Sequence, residues 1–121
     1  MTYSGEDMSE ASGSIAAGQT ASEIFDLGRP YNYVTIRITD CQHIPITTSL
    51  RVLVGIKTDD TMCYVGQLGI SGISLITLPT SGTFSLTVTI RGARRVQVAL
   101  SNAASGGAVP VEVYGIESPI H

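Results

Sequence analysis

The chain has 121 residues, a formal net charge of −3 and a pI near 5.1. That is the length of one domain with a single two-layer core, and its charge leaves no basic footprint for nucleic acid. No apolar run approaches the roughly 18 residues of a helical membrane span. Charged residues make up 14%, against roughly 25% in an average soluble domain, and Ser, Thr and Gly take their place. A charge-poor surface costs less to bury against a neighbour, so the composition favours assembly over a solitary monomer.

The first residues, MTYSGEDMSEASGS, are acidic and polar, with no basic stretch leading into an apolar core. They are expected to hold no secretory signal and to leave the protein in the cytoplasm where it is made, or to be released by lysis. Residues 1–14 lack periodicity and are expected to be an extended arm that orders only on a neighbour. A β-domain is expected over 15–117 and a short tail over 118–121.

Ile15 to Gly18 reads as a short strand and Thr20 to Leu27 as the next, ended by Gly28-Arg29-Pro30 because proline cannot donate to a ladder. From Asn32 to Thr39, Val34, Ile36 and Ile38 alternate with Tyr33, Thr35, Arg37 and Thr39. Alternation with period two marks a strand with one face in a core. Asp40 to Thr48 reads as a loop. Leu50 to Ile56 alternates again, Lys57 to Asp60 reads as a hairpin turn, and Thr61 to Leu68 returns. Gly69 to Gly72 is a Gly-rich link to the short apolar run Ile73 to Leu78.

The strongest pattern is TFSLTVTIRGARRVQVALSNAASGGAVPVEVYGI, Thr83 to Ile116. Phe84, Leu86, Val88 and Ile90 form one alternating set, Val96, Val98 and Leu100 a second, and Val109, Val111 and Val113 a third. A turn is expected at Arg91-Gly92-Ala93 and a loop from Asn102 to Ala108. About eight strands at regular spacing, without helical periodicity, predict an all-β fold: an antiparallel β-sandwich or jelly roll.

Three pieces occur in an order that resembles the discoidin-like, galactose-binding-like jelly roll. They are Asp26-Leu27-Gly28 before the strand of Val34, Ile36 and Ile38; then Arg94, Val96 and Val98; and the closing Glu112-Val113-Tyr114-Gly115. The resemblance implies the fold, while glycan binding does not follow from the fold. In style, a short, charge-poor, hydroxyl-rich β-chain with a polar leading segment is similar to accessory proteins of tailed-bacteriophage virions, with head decoration or cement proteins the nearest type. That likeness implies a non-enzymatic protein of the virion, partnered by its own copies and a major capsid protein.

Few residues suggest chemistry. His43 lies in a loop and His121 ends the sequence, so a held nucleophile–base pair is not expected. Cys41 and Cys63 are expected to be reduced thiols; with His43 they lack the paired spacing of a structural zinc site. Asp59 and Asp60 read as a polar turn, and the Gly-rich stretches lack the Lys and helix of a phosphate loop. No catalytic, metal or cofactor site is expected. Arg91, Arg94 and Arg95 are the one basic cluster, expected either to pair with Glu112 on an adjacent strand or to grip a partner. Met1, Tyr3 and Met8 of the arm are the other expected partner contacts. Tyr31, Asn32 and Tyr33, aromatics beside an amide, are the expected glycan contacts in the alternative reading of a carbohydrate-binding module.

Overall fold

A computed structural model describes residues 8–55, 63–64 and 76–117. These form seven strands: β1 Met8–Ile15, β2 Phe25–Ile38, β3 Ser49–Gly55, β4 Cys63–Tyr64, β5 Ile76–Thr77, β6 Phe84–Leu100 and β7 Val109–Ile116. All pairings are antiparallel, in the order β1-β7-β2-β6-β3-β4, with β5 also on β3.

Two long strands turn this single ladder into two layers. The second half of β2, Tyr33 to Ile38, lies between β7 and the first half of β6, Phe84 to Thr89. The start of β2 pairs instead with Arg95 and Val96, and β3 joins β6 between Arg95 and Leu100. One layer is therefore β1, β7 and the paired halves of β2 and β6; the other is the remaining halves with β3, β4 and β5. The alternating residues meet between them. Ile15, Val34, Ile36, Ile38, Val96, Val98, Leu50, Val54, Val109, Val111 and Val113 belong to one buried cluster. Full burial of one such side chain stabilises by roughly 1.5–3 kcal/mol.

The layer change corrects two expected strand ends. Gly28-Arg29-Pro30 lies within β2, and Arg91-Gly92-Ala93 lies within β6. The β2–β6 register shifts between Asp26 and Tyr31 and again before Tyr33. Gly28 and Gly92 take φ of 87° and 84° at this level. Such bulges bend and twist a strand without ending it, and glycine adopts the left-handed backbone that makes them.

The leading residues bring a third correction. Residues 8–14, expected in an arm, form β1, paired residue for residue with β7. Ala11, Gly13 and Ile15 turn toward the core, and Glu10, Ser12 and Ser14 are exposed. Small inward residues fit because the Phe25 ring and Glu23 carboxylate occupy the space where a Gly13 side chain would project. Ile15 ends β1, and the expected strand from Ile15 to Gly18 is a turn.

Thr20 to Ile24, expected as strand, runs beside β6 irregularly. Leu100 N–H donates to Thr20 O at 2.6 Å, while Val98 N–H donates to the Ser22 hydroxyl at 3.0 Å. A side-chain oxygen thus stands in for a ladder carbonyl, which interrupts regular pairing, and Ile24 is left 43% exposed. Of the expected strands at 61–68 and 73–78, Cys63–Tyr64 and Ile76–Thr77 are strand. The turn at 57–60, the link at 69–72 and the tail 118–121 lie outside the described residues.

Candidate interaction face

The outer side of the first layer brings together the polar members of four alternating strands. Register places Arg37 between Glu112 on β7 and Ser85 on β6, with Ser12 of β1 beyond Glu112. The next row is Glu10, Tyr114, Thr35 and Thr87, and the row after it holds Ile116, Tyr33 and Thr89. The Thr35 and Thr87 hydroxyls bond across strands at 2.7 Å. Arg37 Nη1 lies 3.8 Å from Glu112 Oε1, with side chains 52% and 29% exposed. A pair this wet contributes about 0–1 kcal/mol at most, but it cancels two of the face's charges. Tyr33 and Tyr114 are half-buried. Burial, then the carboxylates of Glu112 and Glu10, push the Tyr114 phenol above its ordinary pKa. The phenol is therefore a neutral hydrogen-bonding group at neutral pH. The result is an open, hydroxyl-rich sheet surface with two tyrosines and little net charge.

The expected glycan contacts do not converge. Tyr31 points into the core, 2% exposed, against Leu27 and Gly115, with the Arg29 guanidinium 4.4 Å from its ring centroid. Tyr33 lies on the opposite face, because the register shift after Tyr31 reverses the alternation. Asn32 is exposed between them. Of these three residues, only Tyr33 joins the outer face.

Within the basic cluster, Arg94 pairs with Asp26 and not with Glu112. Arg94 Nε donates to Asp26 Oδ1 at 2.8 Å, and Glu112 is engaged by Arg37 from β2. Arg95 lies half-buried opposite Asp26 and Gly55 in the ladder. Met1 and Tyr3 lie outside the described residues, as do the side chains of Met8 and Arg91. At the loop end, His43 Nδ1 donates to the Ser105 carbonyl at 3.1 Å, and its ring packs on Gly106 and Gly107. His43 thus latches two loops together. Cys41 is a buried free thiol; desolvation, then Asp40, raises its pKa. Tyr114, Thr35, Thr87, Arg37 and Glu10 were not singled out from sequence. For Tyr114, Thr35, Thr87 and Arg37 the signal was present as the outward half of an alternation, for Glu10 it was not, and the pairing order needed to bring them together was missing for all.

No protein-family model and no curated protein sequence matches the chain. Among solved structures, the chain resembles chitosan-binding module 1 from a chitosanase/glucanase of Paenibacillus sp. IK-5, with TM-score 0.52 and 16% identity over 87% of this chain and 76% of that one. The shared fold is an all-β antiparallel sandwich. Looser likenesses extend to the family 32 carbohydrate-binding module of C. perfringens NanJ, solved with galactose (TM-score 0.45, 13% identity, 90% and 94% covered). They extend also to the capsid of Helicobacter pylori bacteriophage KHP30 (TM-score 0.38, 14% identity, 93% and 89% covered). At these identities the likeness is one of fold.

Proposed function

We propose that this β-sandwich is a non-enzymatic structural protein of a tailed-phage particle, a capsid decoration or cement protein acting through contacts with its own copies and a major capsid protein. It would be made in the host cytoplasm and carried on the virion. The outer face of the first layer carries this reading. Its Ser, Thr and Tyr side chains keep hydrogen-bonding capacity without the desolvation cost of charge. Arg37 and Glu112 offset each other's charge within the face. Tyrosines supply large contact area for few rotatable bonds, the composition that serves adaptable protein interfaces. Met1 and Tyr3, just ahead of β1, remain proposed partner contacts.

Co-sedimentation with DNA-free capsid shells of the phage encoding the chain tests this. The wild type is expected to pellet with shells. Replacing both Tyr33 and Tyr114 with Ala is expected to weaken binding at least about tenfold, the equivalent of one modest hot spot, while the fold persists. Full retention of binding by the double variant would remove the face from the account.

The alternative, a carbohydrate-binding module, draws on the likeness to the chitosan-binding module and on two half-buried tyrosines in successive rows of one open face. Binding to chitosan or galactose oligomers, lost with the same double variant and without shell association, would favour it.

A further inference from the structure

We propose that the β1 edge joins two copies of this chain by antiparallel strand addition about a two-fold axis at Ser12. The proposal rests on the assembly reading above and names its copy–copy joint. β1 pairs with β7 over eight consecutive residues without a register shift. Among the described residues no strand lies on its other side. An exposed strand edge invites pairing unless Lys, Pro, a bulge or inward charge protects it. The β1 sequence MSEASGSI has no Lys or Pro, its pairing has no bulge, and its one charge, Glu10, faces outward; the only Lys of the sequence is Lys57. By contrast, β2 carries Pro30 and a register shift, and β6 carries the Gly92 bend.

Side-chain parity and charge select the register. Directly opposed residues in an antiparallel pair share a face, so the axis passes through a residue. An axis at Glu10 opposes two carboxylates. An axis at Ala11 leaves the two Glu10 residues two positions apart. An axis at Ser12 sets Glu10 against Ser14 of the second copy and Ala11 against Gly13. The carboxylates are then four positions apart, roughly 14 Å along the strand at about 3.4 Å per residue. Backbones from 9 to 15 then pair in both directions. The symmetry is isologous, and the two hydroxyl-rich faces fall on the same side of one continuous sheet.

Cysteine scanning of the edge tests the joint. At the axis, Ser12 of each copy stands about 4.5–5.5 Å apart at Cα, within the span of a disulfide. Ser12→Cys is expected to give a reducible covalent dimer under mild oxidation, whereas Ser14→Cys and the wild type, which share the native cysteines, are not. Ser12→Lys opposes two ammonium groups and is expected to halve the mass in light scattering while unfolding at the wild-type temperature. A monomeric wild type, cross-linking at both positions or neither, or an unchanged mass for Ser12→Lys would overturn the proposal. Shell binding separates this joint from the reading beneath it. A cross-linkable dimer that ignores shells keeps the joint and removes the virion function; a shell-binding monomer does the reverse.

Discussion

Asp26 stands where β2 leaves one layer for the other, and its carboxylate holds both strands of the bend. It accepts from Arg94 at 2.8 Å and from its own turn, the Gly28 N–H, also at 2.8 Å. The Arg94 hydrogen bond, then that of Gly28, lowers the Asp26 pKa below its ordinary value. A carboxyl depressed in the folded state stabilises above its unfolded pKa, and that contribution fades as pH falls through the usual carboxylate range toward the folded value. Arg94→Ala should therefore raise the Asp26 pKa, read by NMR titration of its carboxyl carbon, and flatten the stability loss in acid. An unmoved titration would show that the guanidinium has no hold on it. Gly115 gives a second test at this scale. A Cβ there would lie 2.7 Å from Tyr31 Cδ2 and 3.1 Å from Leu27 Cδ1, and both neighbours are buried. Overpacking of this kind costs about 1–3 kcal/mol, so Gly115→Ala should lower the urea midpoint by a matching amount; an unchanged midpoint would mean that Tyr31 moves aside freely.

The layers exist because β2 and β6 bend together, and their glycines were read from sequence as strand ends. Gly is ambiguous in this way: the same positive φ closes a turn or makes a bulge, and only the partner strand decides. Gly92 at φ 84° has nothing within 4 Å of an added Cβ, so Gly92→Ala is sterically free and conformationally strained. The left-handed backbone should cost about 1–2 kcal/mol, seen in urea unfolding, with D-alanine at the same position restoring wild-type stability. A loss with both enantiomers would point to something other than backbone handedness. The fully alternating runs around Val34, Leu50, Val96 and Val109 were legible because each buries one side. β1 was not, because its core-facing Ala11 and Gly13 make no hydrophobic signal; Phe25 supplies the bulk from another strand. The candidate face was half legible for a related reason. Outward Tyr33, Thr35, Arg37, Glu112 and Tyr114 follow from alternation, whereas their shared rows follow from the order β1-β7-β2-β6, which links segments distant in sequence.

For the whole molecule, the distribution of charge decides what kind of association to expect. Electrostatically steered partners lose affinity and on-rate as salt rises, because screening is nearly complete beyond about 3 Å at 1 M. This β-sandwich has little to screen on the proposed face: Arg37 and Glu112 neutralise each other, Glu10 is the remaining charge, and the rest is hydroxyl, phenol and aliphatic. Arg94 is likewise committed to Asp26 within the chain. Shell association should then vary by less than about threefold between roughly 0.1 and 1 M salt, measured by co-sedimentation across that range. A steep fall would shift the contact from the hydroxyl-rich face to a charged one and make the arginines near the bend the place to look. A rise with salt would fit a contact dominated by buried apolar area, since excluded salts strengthen effective burial, and would move attention to Tyr33, Tyr114 and Ile116.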